Sequence, residues 1–136
     1  MTRMLFLDID GTLVGKDRRI PQSAIRAIRA AQGNGHLVLI CTGRARAGAA
    51  GWRYARRPGA WQQGRGLRFA AATMGVPLAD TVAIGDSDND LTMIEVAGIG
   101  IAMGNGEQCA KDAADWVADA VDTSGLAHAF ERLSVV

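Results

Sequence analysis

The chain has only two cysteines in 136 residues, Lys16 and Lys111 as its only lysines, few aromatics (5%), and no acid between Arg18 and Ala79. Cys41 and Cys109 lie far apart without a CxxC pair. That spacing excludes a disulfide framework and a thiolate metal site, and both read as reduced residues of a cytoplasmic protein. No apolar run approaches the roughly 18 residues that cross a bilayer. The N-terminus is a strand pattern broken by Asp8 rather than a charged segment followed by an unbroken apolar one, so a signal peptide is not expected. The net charge of +1 hides an asymmetry: arginines are scattered through the acid-free stretch, while acids dominate from Asp80 onward against Lys111 and Arg132. Such a split can mark nucleic-acid binding. Here Arg46, Arg53, Arg56 and Arg57 have only Trp52, Tyr54 and Trp61 for aromatic company, and solvated faces account for them better. Neither a membrane nor a nucleic acid is an expected partner.

What is present is the composition of an ordinary globular protein, 49% apolar and 21% charged. The length suits one domain over residues 1–136. Residues 3–7 read as a buried strand. Pro21 opens a helix with Ile25 and Ile28 on one face, closed by Gly33 and Gly35. "HLVLICTGR" reads as a second strand, buried on both sides because it shows no polar alternation. A helix in "GLRFAAATMG" closes at Gly75, a strand in "TVAIG" runs into acids, and "DLTMIEVAG" is helical. "IGIAM" is a fourth strand, "EQCAKDAA" a short helix, "DWVA" a short strand and 124–133 a last helix. Strict alternation of strand and helix predicts an α/β fold: a doubly wound, Rossmann-like parallel sheet with helices on both faces. Only residues 45–64, rich in Ala, Gly and Arg, break the rhythm. They read as a short linker or loop. Met74, Met93 and Met103 read as core, Cys41 as a buried small hydrophobe, His36 as exposed, and His128 as lacking a catalytic partner.

Open parallel sheets bind ligands at the carboxyl ends of their strands. Three strands here end in polar groups: Asp8 and Asp10, then Thr42, Gly43 and Arg44, then Asp86 to Asp90. If these strands are neighbours, several carboxylates converge, and they repel one another unless a cation joins them. An oxygen-only set with room for water suits Mg²⁺. Asp88 and Asp90 also suit a purely local role at the start of the helix at Leu91.

"DIDGT", "TGR" and "GDSDND", in that order and followed by "LTMIEVAGIGIAMGNG", resemble the haloacid dehalogenase (HAD) superfamily and its Cof-type phosphatase branch. The resemblance covers 1–44 and 64–136. It implies Asp8 as a nucleophile that forms an aspartyl-phosphate and Asp10 as the acid and base that protonates the leaving group and then activates water. It further implies that Thr42 and the Gly43 N–H hold a phosphoryl oxygen, with Arg44 at the rim. Mg²⁺ would lie on Asp8, the Asp10 carbonyl, Asp86 and Asp90. Asn89 belongs to the loop beside the phosphate, and Asn105 in "MGNG" is either a ligand contact or a structural turn. The superfamily carries a Lys-Gly pair at the start of the helix before the third strand, and Arg65-Gly66 is the pair assigned to it here.

The branch inserts a cap domain where this chain has only residues 45–64. The implied function is a Mg²⁺-dependent phosphatase acting on phosphate monoesters, with a small phosphorylated substrate such as a sugar phosphate. The alternative is a catalytically impaired, capless module with a binding or regulatory role. An uncovered site also predicts a homo-oligomer in which Trp52, Tyr54 and Trp61 meet a neighbouring subunit.

Overall fold

A computed structural model describes residues 1–41 and 63–136 of the chain. Thr42, Gly43, Arg44, Trp52, Tyr54 and Trp61 lie outside the described residues, as does nearly all of the 45–64 segment. Among the described residues, five strands, β1 (Met4–Leu7), β2 (Leu37–Ile40), β3 (Thr81–Gly85), β4 (Ile99–Ala102) and β5 (Trp116–Val117), alternate with helices α1 (Gln22–Gly33), α2 (Gln63–Met74), α3 (Leu91–Val96), α4 (Gln108–Ala113) and α5 (Gly125–Arg132). Every strand pairing is parallel, in the order β2-β1-β3-β4-β5. The α/β sheet expected from the alternation is therefore the observed one.

The period of two along each strand sorts the core into two layers. Leu5 and Leu7 of β1 join Val82 and Ile84 of β3 and Ile101 of β4 under α1 and α5, where Ala24, Ala27, Ala31, Ala129 and Phe130 close the layer. Met4 and Phe6, the alternate positions of β1, face Leu67 and Ala71 of α2 and Met93 of α3 on the other side. Among the described residues, no helix is long and apolar enough to cross a membrane.

Three expectations are corrected. The second strand is not buried: β2 ends the sheet, its residues are half-buried, and Ile40 is 57% exposed. An unbroken apolar run marks a strand but not its rank in the sheet. Met74 is 56% exposed, because α2 meets the sheet through Leu67 and Ala71 while its last turn stands beside the edge-strand residues Leu37, Val38 and Leu39 around an open recess. His36 is half-buried, its Nδ1 accepting the Arg3 N–H at 3.1 Å. Met93 and Met103 are core, as expected. Ile40→Thr should accordingly change unfolding free energy by no more than about 0.5 kcal/mol in urea titrations. A loss of several times that would mean Ile40 is covered in solution.

Candidate active site

Strand order places the site. The chain leaves β1 toward β2 on one side and later returns to β3 on the other, so the loops after β1 and β3 diverge and leave a crevice at their carboxyl ends. Leu7 stands opposite Ile84, and the Asp8 N–H donates to the Ile84 carbonyl at 3.1 Å. The register thus brings Asp8, one residue past β1, beside Asp86, one residue past β3.

Each loop is shaped to let the carboxylates meet. Ile9 accepts the N–H groups of Leu13 and Val14, both at 2.9 Å, which folds the "DIDGTLV" segment back on itself. Gly11 takes φ +78°, and a Cβ there would collide with Asp86 Oδ2, so this turn requires glycine twice over. After β3, Asp90 is wholly buried, and its Oδ2 accepts the N–H groups of Asp86 (2.8 Å) and Ser87 (3.1 Å). Its carboxylate lies over Gly85, leaving no space for a Cβ on that residue. Asp90 therefore does fold its own loop, the local role that suits a helix start, and it does so with one oxygen only.

The same carboxylate is part of a cluster. Asp8, Asp86 and Asp90 each offer a carboxylate oxygen, all within 4.8 Å of one another. Among the described residues, the buried atoms Asp86 Oδ1 and Asp90 Oδ1 have no hydrogen-bond partner. Burial, then the charge of Asp90, pushes Asp8 up from 3.8 to about 6. Burial, then the charges of Asp90 and Asp8, pushes Asp86 up to about 8. Three crowded carboxylates with two orphaned oxygens are what a small, hard, oxygen-seeking cation would satisfy, and Mg²⁺, with bonds of about 2.0–2.1 Å, fits that donor set.

The remaining predicted residues divide. Asp10 is exposed beside this crevice, its backbone bridged to Val14. Asn89 is exposed in the Asp88–Asp90 turn. Asn105 is engaged at both ends, its Nδ2 donating to the Gly11 carbonyl and its Oδ1 accepting the Val121 N–H, each at 2.8 Å. It ties the loop after β4 to the turn after β1, the structural-turn option. Arg65 is exposed on α2, and Gly66 has open space where a Cβ would stand. Two residues earlier the situation reverses. Gln63 is only 6% exposed, and a Cβ on Gly64 would come within 2.7 Å of the Thr92 carbonyl oxygen. The residue–glycine pair that the fold seats at the head of α2 is Gln63-Gly64, not Arg65-Gly66.

Sequence reasoning missed other supports. Glu107 donates its N–H to the Asp86 carbonyl at 2.7 Å and accepts the Asp88 N–H on Oε2 at 3.2 Å. Gly106 lets the Asp86 carbonyl approach, since a Cβ would lie 2.9 Å from it. No local pattern marks either residue, because both act on a loop some twenty residues away. His128, read as lacking a catalytic partner, pairs at the surface, with Nδ1 2.7 Å from Asp119 Oδ2 and both side chains exposed.

Fold and site together define a class: an open parallel α/β protein with an all-oxygen acidic cluster at its topological switch point. The sequence model of the haloacid dehalogenase-like hydrolases matches residues 5–51 and 58–130, and the chain belongs to that family. Phosphoglycolate phosphatase of Methanosarcina acetivorans is 48% identical over 71 residues, a segment that makes up 52% of this chain and 31% of that protein. The chain thus spans about a third of the length of that relative. Among solved structures, the phosphatase BT1666 from Bacteroides thetaiotaomicron superposes with a TM-score of 0.88 at 19% identity, covering 100% of this chain and 96% of the other. The 3-deoxy-D-manno-octulosonate 8-phosphate phosphatase from Moraxella catarrhalis, solved with magnesium, phosphate and KDO, gives 0.78 at 20% identity over 98% of this chain and 86% of the other. At those identities the likeness is one of fold.

Proposed function

We propose that the chain is the catalytic core of a Mg²⁺-dependent phosphatase that hydrolyses small phosphate monoesters through an aspartyl-phosphate on Asp8. One observation carries this reading: Asp8, Asp86 and Asp90 converge within 4.8 Å at the β1/β3 crevice with two buried oxygens left without partners. Family membership and a relative named phosphoglycolate phosphatase support it. Asp8, Asp86 and Asp90 would hold the ion with the Asp10 carbonyl. Bound there, Mg²⁺ would supply positive charge against the repulsion between an anionic nucleophile and an anionic phosphate.

The chain's own groups do the rest. An Asp8 carboxylate oxygen attacks phosphorus as the bond to the ester oxygen breaks, and Asp10 gives its proton to that leaving oxygen. Asp10, now a carboxylate, takes a proton from the water that attacks the phosphoaspartate. This releases orthophosphate and restores Asp8. Residues 45–64 stand where the branch it resembles carries a cap, so on this reading 1–136 acts as a single core domain. Purified protein should release phosphate from p-nitrophenyl phosphate with Mg²⁺ and lose at least 90% of that rate in excess EDTA, on the order of the tenfold or greater effects expected for metal-assisted chemistry. An EDTA-insensitive rate would reject the metal-dependent reading.

A further inference from the structure

The loop after β4, residues 103–107, touches both carboxylate loops. On the β3 side, the Met103 N–H donates to the Gly85 carbonyl at 2.9 Å, and Glu107 holds the Asp86 carbonyl and the Asp88 N–H. On the β1 side, the Asn105 side chain makes the connection, its Nδ2 donating to the Gly11 carbonyl at 2.8 Å. The loop is itself braced. The Gly106 N–H donates to the Met103 carbonyl at 2.9 Å, and the Gly104 N–H donates to the Asp119 carbonyl at 3.3 Å. Asn105 Oδ1 accepts the Val121 N–H at 2.8 Å, so the amide is fixed at both ends.

Gly11 directly follows Asp10. With φ +78° and no Cβ, it has a wide range of backbone rotation open to it. Two bonds end that freedom. Its N–H donates to the Val14 carbonyl at 2.9 Å, within the turn, and its carbonyl accepts from Asn105, outside the turn. The first bond moves with the turn. The second ties the turn to the frame that also carries Asp86. The chemistry of the two partners selects the residue: one is a backbone acceptor and the other a backbone donor, so the position calls for a side chain that donates at one end and accepts at the other. An amide does both, whereas an ionised carboxylate of the same shape only accepts.

We propose that Asn105 is a positioning residue for Asp10: by holding the Gly11 carbonyl, it sets where the Asp10 carboxyl stands relative to Asp8 and Asp86. The proposal rests on the phosphatase reading, in which Asp10 protonates the leaving oxygen, and adds how that proton is aimed. Asn105 acts through the backbone of the β1 turn and not on the phosphate. A proton donor out of place costs most where the leaving group most needs a proton. p-Nitrophenolate is a weak base and leaves readily without one. Phenolate is a stronger base, its conjugate acid having a pKa of about 10 like the tyrosine side chain, and leaves poorly.

The test measures kcat/KM on p-nitrophenyl phosphate and on phenyl phosphate, with Mg²⁺, for the parent, Asn105→Ala and Asn105→Asp. This ratio of constants reports phosphoryl transfer to Asp8 apart from hydrolysis of the phosphoaspartate, and thermal melts verify folding. Asn105→Ala should lose about tenfold more on phenyl phosphate than on p-nitrophenyl phosphate, a part of the whole effect of a general acid. Asn105→Asp keeps the acceptor for Val121 and removes the donor to Gly11, so it should show the same selective loss. Equal losses on the two esters, no loss on either, a parental Asn105→Asp, or a parent inert to phenyl phosphate overturns the inference, while parent turnover of p-nitrophenyl phosphate leaves the phosphatase reading standing. A parent that hydrolyses neither ester overturns both.

Discussion

Asp8→Asn should reduce turnover of p-nitrophenyl phosphate by about 10⁴-fold or more, the scale seen when a covalent nucleophile is removed. The change is nearly isosteric and leaves the β1 register and the Asp8 N–H bond to Ile84 untouched, so the loss should be chemical rather than structural. The metal-free protein gives a second readout. Asp8 is raised to about 6 by burial and by Asp90, so at neutral pH its charge works against the fold, and replacing it by an amide should leave Tm unchanged or higher. Lost turnover in a protein of equal or greater Tm is the expected pair of results. A variant that retains activity within tenfold of the parent would remove Asp8 as the nucleophile.

Mg²⁺ should stabilise the protein strongly, and more so as pH rises. Asp8 and Asp86 ionise near 3.8 outside the fold but near 6 and 8 within it. Between those values the folded state holds more protons than the unfolded one, so the stability of the metal-free protein falls as pH climbs from about 4 through 8. Binding of a cation requires the ionised carboxylates and so strengthens over the same range. At pH 8 and a Mg²⁺ concentration about 100-fold above Kd, the gain is about 2.7 kcal/mol. That corresponds to a Tm rise of roughly 5–10 °C. At pH 5.5 the rise should be less than half as large. Asp86→Asn should raise the metal-free Tm at pH 8 and abolish most of the Mg²⁺ effect. A Mg²⁺ shift that ignores pH, or that survives in Asp86→Asn, would mean the ion binds elsewhere.

How far the site could be read before folding depends on how local each residue's task is. "DIDGT" and "GDSDND" declare themselves because each carboxylate directly follows an apolar strand, and strand ends are set by nearby residues. Asp90 shows where local reading becomes ambiguous. The same side chain folds its own loop through Oδ2 and also belongs to the carboxylate cluster, so the local role does not exclude the other. The head of α2 shows where local reading stops short. Arg65-Gly66 has the charge expected of the pair, yet the glycine that the fold requires is Gly64, because Thr92 presses on it from α3. The inward stripe that Gln63 shares with Leu67 and Ala71 is legible along the chain, but the closeness of Thr92 is not.

The amino-acid sequence by itself determined the elements, their parallel class and the two carboxylate loops, since these follow from short-range patterns of apolar residues, glycines and acids. Only the tertiary structure decided which strand lies at the edge, which oxygen of Asp90 is spent on the loop, and which residue stands at the head of α2. Those outcomes depend on contacts between segments tens of residues apart, such as Gly64 with Thr92 and Asp86 with Glu107. No periodicity along the chain encodes the space that one segment leaves for another.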